Sequence, residues 1–512
     1  MINSASHNTI GLIQVDKALQ LLQTFKRIAF IDVRDRKAYV DEHPIFAVNA
    51  PIDSIELQIN QLFGDELGIA LIVGDNPTLT NWAAAVIADA TGLTPQIIDG
   101  GFDAWKNHRL PSWDGEYTPS KALGEWVETT GKIQNIKPED AITTPPQYQF
   151  DVRPFEEYRQ FSLPNSIHCP TGRLGALSIS DSSIYLHCAG RTRGIIAAQT
   201  LADQDFDASI YCITGGTQGW ELAGGPRSFN NQHSADDFFS QDTTTLHVNR
   251  LIKKFKLPIA TLDHETKWSK SETPFRVITV SEDLIPLHAI SPTTLIQSTD
   301  QYLGTHNMPI VIQGPNQLDC AVSVLWLRRM GWDAWLRDRF RQEPVISERS
   351  SPANIGWKDA WLNADRIIDL RSSNAFKASR INGSNWIPRS QFPTISPLDE
   401  CLFVCDYSQI NHTRRLVNTL NLPNPICVDW DQIPQELIDT SAISFEAHPS
   451  DQALFYPDRH QGNLEHAKGY LDWEHSLLPK LKEYGDIPWR PINEPLDHPK
   501  SHLTMFYQKV HL

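Results

Sequence analysis

The chain has 512 residues, 40% of them hydrophobic, and a formal net charge of -16. At roughly 100–200 residues per domain this divides into several domains, each with enough apolar residues for a core. So acidic a chain is not built to bind nucleic acid, which needs basic patches.

The start, MINSASHNTIGLIQVDKALQLL, has no basic stretch followed by an apolar core, so no secretory signal is expected. No apolar run reaches the roughly 18 residues of a membrane span, so no membrane partner is expected. Seven cysteines, an odd number spread thinly along the chain, argue against a disulfide framework and for a reducing, cytoplasmic setting. Only Cys401 and Cys405 lie close, and not as Cys-x-x-Cys. No zinc module, other metal or cofactor is therefore expected.

Three segments share one pattern: RIAFIDVRDRKAY (Arg27–Tyr39), YQFDVRPFEEY (Tyr148–Tyr158) and RIIDLRSSNAF (Arg366–Phe376). Each is an apolar strand ending in Asp-Val-Arg or Asp-Leu-Arg, with an aromatic five residues after the arginine. Asp32 and Asp151 are 119 residues apart; Asp151 and Asp369 are 218 apart, about two units. A degenerate copy is therefore predicted near FRVITVSEDLIPLHAI (Phe275–Ile290). A second pattern, IIDGGFDAW (Ile97–Trp105) and CITGGTQGW (Cys212–Trp220), reads as strand, Gly-Gly turn and short helix, with the tryptophan as packing.

Within the second copy, QFDV, SIYLHC and SIYCIT predict strands, and RPFEEYRQF and RGIIAAQTLADQ predict helices. Alternating strands and helices predict a parallel sheet in an α/β fold, with ligands outside the carboxyl ends of the strands. Segments 118–141, 226–247 and 339–356 read as linkers. Residues 462–485 have helical periodicity, and a Pro-rich tail, DIPWRPINEPLDHPK, follows.

Cys188 stands at a predicted strand end in IYLHCAGRTRGIIAAQ. The amides of Ala189, Gly190, Arg191, Thr192, Arg193 and Gly194 can form an anion-binding nest, and a helix expected to begin near Gly194 adds its positive end. Arg191 and Arg193 add two permanent charges. All three features are expected to favour the thiolate, the nucleophilic form. A phosphatase-type loop needs an arginine six residues after the cysteine. Here Arg193 comes at the fifth and Gly194 at the sixth. The shorter loop suits a sulfur-centred anion better than a phosphoryl group.

These residues resemble the rhodanese superfamily of sulfurtransferases, through Asp151–Tyr158, SLPNSIHCP (Ser162–Pro170), the Cys188 loop and GGTQGW. The chain is also similar to bacterial proteins with four such units in tandem, through CAGRTR, Gly219–Gly224, QSTDQYLGT (Gln297–Thr305) and MGWDAW (Met330–Trp335). The resemblance implies tandem α/β units, each a parallel five-stranded sheet flanked by helices. The expected bounds are 10–117, 130–227 (catalytic), 245–340, 355–440, and a C-terminal helical extension over 447–512.

It further implies that Cys188 takes sulfur from thiosulfate or a persulfide donor and passes it to cyanide, a thiol or a carrier protein. Residues 189–194 would bind the donor, and Arg173 would reach the same mouth. The other units are expected to be silent. Asp75 stands where the first would carry its cysteine, and Gly314 or Pro315 in the third, with Cys320 too late on a helix. In the fourth, Cys405 has no glycine-arginine loop, has Asp406 beside it and is expected to be buried. Arg414 and Arg415 come too late. His187 should face away from Cys188, Asp151 and Arg153 should fix a turn, and Cys169 and Cys212 should pack. Cys169 could resolve a persulfide if within reach. Two rivals stand beside sulfur transfer: a scaffold with a vestigial Cys188, and a cysteine-dependent phosphatase or arsenate reductase.

Overall fold

Apolar runs of four to seven residues alternate with helices along the chain, and parallel pairing collects the runs into sheets. The structure is a computed structural model. It describes residues 10–511 except 65–66, 271–273, 285, 287, 342–365, 395–400, 407–408, 411–412, 415–416, 418–425, 445–449, 453–454 and 497–500. Most of the predicted 339–356 linker, the start of the fourth predicted unit, Arg415 and much of the loop after Cys405 lie outside the described residues. No helix among those described is long and apolar enough to cross a membrane.

The chain divides into two compact units: Met1–Ala18, Ala29–Gly115 and Glu343–Leu454, and Leu19–Ile28, Glu116–Gln342 and Phe455–Leu512. In the first, strands Gly11–Ile13, Gly92–Ile98, Leu67–Val73, Ile28–Asp32 and Val48–Asn49 lie side by side in that order. The first three and the last two pair in parallel. A second parallel sheet of this unit runs Asn385–Trp386, Arg366–Asp369, Cys401–Cys405, Ile426–Asp429. One apolar core joins residues of both sheets, including Ile31, Ile72, Ile368 and Phe403.

The second unit holds the predicted catalytic segment. Helix α1 spans Thr118–Thr130 and is followed by strands β1 (Gln134–Ile136), β2 (Tyr148–Asp151), β3 (Ile167–His168) and β4 (Ser182–His187). Helix α2 (Thr192–Asp203), strand β5 (Ala208–Ile213) and helix α3 (Gly216–Leu222) complete the segment. The five strands form one parallel sheet in the order β3-β2-β4-β5-β1. A second parallel sheet runs Ile259–Ala260, Asp333–Arg337, Pro309–Gln313, Arg276–Thr279. Near the C-terminus a 21-residue helix, α4 (Leu464–Tyr484), packs on α1 and α3.

The fold is the expected α/β arrangement of parallel sheets flanked by helices. Five strands per sheet is not general among the described residues. The sheets containing Arg276–Thr279 and Arg366–Asp369 have four each. In the former, the neighbouring edge is reduced to a single bridge, Val280 to Ile290. The 118–141 segment is not a linker, since α1, β1 and a helix at Pro138–Thr143 occupy it.

Candidate functional site

The repeated Asp-x-Arg pattern sets the strand ends. Asp151 Oδ1 accepts from the Arg153 amide at 3.1 Å and from its Nε at 3.0 Å, and Oδ2 accepts from Nη2 at 2.7 Å. The same guanidinium donates to the Phe161 carbonyl, eight residues on. Asp32 with Arg34 and Asp369 with Arg371 repeat this, reaching Glu42 O and Ser379 O. Burial alone would raise the Asp151 carboxyl, but Arg153 and further polar partners hold it below the usual carboxylate range. The pair is a turn device, as its sequence position suggests.

The residue after each of these strand ends also keeps one register. The Val152 amide donates to His187 O, and Val33, Val280 and Leu370 donate likewise to Val73, Gln313 and Val404. The residues next in line are Gly74, Cys188, Gly314 and Cys405. Gly74, not Asp75, therefore holds the position of Cys188 in the first unit. Gly314 and Cys405 hold it in the two remaining sheets.

The loop after Cys188 rests on the Gly-Gly turn. Gly215 and Gly216 have φ of +75° and +54°, a conformation that suits glycine. The Thr217 amide donates to Cys188 O at 2.8 Å and the Gln218 amide to Ala189 O at 3.0 Å. With these carbonyls drawn toward the start of α3, the amides of Gly190 and Gly194 are left to donate to the Cys188 sulfur. Helix α2 begins at Thr192, two residues earlier than expected.

Cys188 is only 2% exposed and lies at a cavity of about 60 Å³, large enough for a small ligand of a few heavy atoms. Residues 189–193 of its loop line the same cavity. Gly194 stands behind, its Cα side against Cys212 Sγ. The two loop arginines are already paired: Arg193 makes a two-pronged contact to Glu157 at 2.7 and 2.9 Å, and Arg191 does so to Glu125 at 2.7 and 3.0 Å and also meets Glu128. Arg173 does not join them. It is held by Asp319 at 2.9 Å and Asp283 at 2.7 Å and does not line the cavity.

The expected thiolate preference is reversed. Burial raises the Cys188 thiol above its ordinary value, and Glu474 adds to the shift; Arg193 and the Gly194 and Gly190 amides oppose it without prevailing. His187 is buried behind the strand, its Nε2 2.8 Å from Ser166 Oγ, and burial pushes it down to about 4. Cys169, Cys212, Cys320 and Cys405 are all buried and free. Cys405 lies in the first unit's core, and burial pushes it up to about 12.

Much of the rest of the cavity comes from residues outside any quoted motif. Helix α1 brings Lys121, the C-terminal segment brings Arg459, His460, Tyr470 and Glu474, and Gln218 and Gln297 add two amides. Lys121 Nζ bridges the Tyr470 hydroxyl at 2.5 Å and Glu474 Oε1 at 3.0 Å. Arg459 lies over the Tyr470 ring at 4.3 Å and donates to the carbonyls of Phe455 and Tyr456. Several buried polar atoms of this wall lack a partner among the described residues: both ends of the Gln218 amide, Gln297 Oε1, Arg459 Nε, His460 Nδ1 and Glu474 Oε2. Water or a polar ligand entering the cavity would find these donors and acceptors open.

Residues 139–223 match the family model of the rhodanese-like domain. No curated protein matches the sequence. Among solved structures, a thiosulfate sulfurtransferase from Pseudomonas aeruginosa aligns with a TM-score of 0.78 at 22% identity, covering 92% of this chain and 98% of its own. A protein of unknown function from Rhodopseudomonas palustris, described as a possible tyrosine phosphatase, aligns with 21% of this chain and 93% of its own at 25% identity, with a TM-score of 0.19. An anaerobic ergothioneine biosynthesis enzyme from Chlorobium limicola covers 53% of this chain and 73% of its own at 14% identity and a TM-score of 0.19. The first alignment carries the fold over nearly the whole chain; the other two add nothing to it.

Proposed function

We propose that this chain, which carries a rhodanese-like domain over residues 139–223, is a sulfurtransferase that works through a persulfide on Cys188. The observation that carries this is the meeting of one thiol with the Gly190 and Gly194 amides in a small cavity lined by Lys121, Arg193 and Arg459. Inward amides and fixed cations stabilise an anion without reorganisation.

Thiosulfate fits as donor. The Cys188 thiolate attacks the outer sulfur, the sulfur–sulfur bond breaks, and sulfite leaves with the electron pair. The negative persulfide then rests against the two amides and Arg193. Arg459, which has no carboxylate partner among the described residues, and the Gln218 amide are placed to hold the sulfonate oxygens. An acceptor, cyanide or a thiol that is free or on a carrier protein, takes the terminal sulfur in a second step. Two half-reactions through one covalent intermediate give ping-pong kinetics.

The test is intact mass after thiosulfate treatment: one sulfur atom is added, it maps to Cys188, and sulfite is released. Cys188→Ser abolishes both loading and thiosulfate:cyanide turnover. Full turnover by that variant sinks the proposal, as does sulfur mapped to another cysteine.

A further inference from the structure

Glu474 is an odd residue for a site that receives anions. Its carboxylate is almost wholly buried, lines the Cys188 cavity and acts against ionisation of that cysteine. Oε1 is fully engaged, by Lys121 at 3.0 Å and by the hydroxyls of Tyr470 and Thr192, each at 3.3 Å. Oε2 is buried and accepts no hydrogen bond from the described residues. It presses on the Cys188 loop at Gly190, 2.8 Å from where a β-carbon on that residue would stand. A larger residue at 190 would take the space. The charged and titratable groups that interact with Glu474 include Lys121 and Glu125 of α1, Cys188 and Arg191 of the loop, and Tyr470 on its own helix, and Arg193, Arg459 and His460 line the same cavity.

A bare carboxylate oxygen repels an anion and welcomes a hydrogen-bond donor. We propose that Glu474 Oε2 is the general base for the sulfur acceptor, and that the acceptor is a thiol that arrives protonated. The proposal rests on the persulfide reading. The negative persulfide first takes a proton from solvent; Glu474 then takes the proton of the thiol, and the resulting thiolate attacks the terminal sulfur of the protonated persulfide. The sulfur–sulfur bond to Cys188 breaks, and Cys188 leaves as thiolate with the bonding pair. The acceptor departs as a perthiol, and the proton on Glu474 passes to Cys188. No oxidant or reductant is consumed. Lys121, paired with Oε1, is a positioning residue that fixes the carboxylate while leaving Oε2 open.

The experiment starts from protein loaded with sulfur by thiosulfate and freed of sulfite, then mixed in single turnovers with 2-mercaptoethanol or with sulfite. Sulfite near pH 8 has no proton to give up. In Glu474→Gln, discharge to the thiol falls by about 10²-fold, the lower range of general-base catalysis, and recovers as pH approaches the thiol's own pKa. Discharge to sulfite is unchanged or faster. Equal slowing with both acceptors overturns the proposal, as does undiminished discharge to the thiol. Should the variant not fold, the wild-type protein decides. Thiol discharge shows a solvent deuterium isotope effect that sulfite discharge lacks; the same effect with both, or with neither, overturns it. If wild-type Cys188 takes no sulfur at all, the parent reading falls instead.

Discussion

Around Cys188, burial favours the thiol, and Arg193 with two backbone amides favours the thiolate. Arg193 is weakened as a partner because Glu157 already neutralises it in a two-pronged pair. The thiol therefore sits above its ordinary value, and only the thiolate reacts. A raised pKa moves the reactivity curve to higher pH. Alkylation of Cys188 by iodoacetamide should rise about tenfold per pH unit from neutral to pH 9, without the plateau that a thiolate already formed would give. Mapping the alkylated residue by mass checks this, and a plateau below pH 8 would contradict it. Cys405, in a core and pushed up to about 12 by burial, should stay unlabelled until the protein unfolds.

Among the elements, the strand ends were the most legible part of the sequence. Asp-x-Arg announces itself because one short stretch satisfies a strand-end amide and a distant carbonyl at once. Gly-Gly announces itself because two successive positive φ values are cheap only for glycine. Its further task, seating the Cys188 loop, is tested by two substitutions. A β-carbon on Gly216 would stand 2.3 Å from Cys188 O and 2.6 Å from Gly190 O, both backbone atoms that cannot swing aside. Gly224 shares a positive φ, +80°, but has open space around it. Both Gly→Ala changes should cost about 1 kcal/mol or more in backbone strain. Only Gly216→Ala should displace the loop and slow sulfur loading as well. Urea midpoints and loading rates measured on both variants separate strain from displacement, and equal loading would refute the role given to Gly216.

At the scale of the whole molecule, half of the cavity was invisible in the sequence. Lys121 meets Tyr470 and Glu474 across 349 and 353 residues, and no local spacing reports such a contact. Segment 118–141 looked like a linker because its polar surface residues hide a helix whose inner face buries Lys121 and Glu125. The arginines were legible as charge, but their direction was not, because Glu125, Glu128 and Glu157 decide it.

The site thus depends on α4 staying in place. That helix turns Ala467, Tyr470, Leu471, Trp473, Leu477, Leu478 and Leu481 inward, a largely apolar face with the buried Glu474 in its midst. Leu477 is fully buried and is not among the residues that line the Cys188 cavity. Leu477→Ala should cost about 2–5 kcal/mol and, by loosening α4, slow sulfur transfer through Tyr470 and Glu474. Phe403→Ala, a comparable loss of about 3–5 kcal/mol, falls in the first unit's core, whereas every residue lining the cavity belongs to the second unit. It should lower the urea midpoint while leaving transfer per folded molecule unchanged. Equal loss of transfer in both variants, at temperatures where both are folded, would mean that stability in general, and not the seating of α4, governs the site.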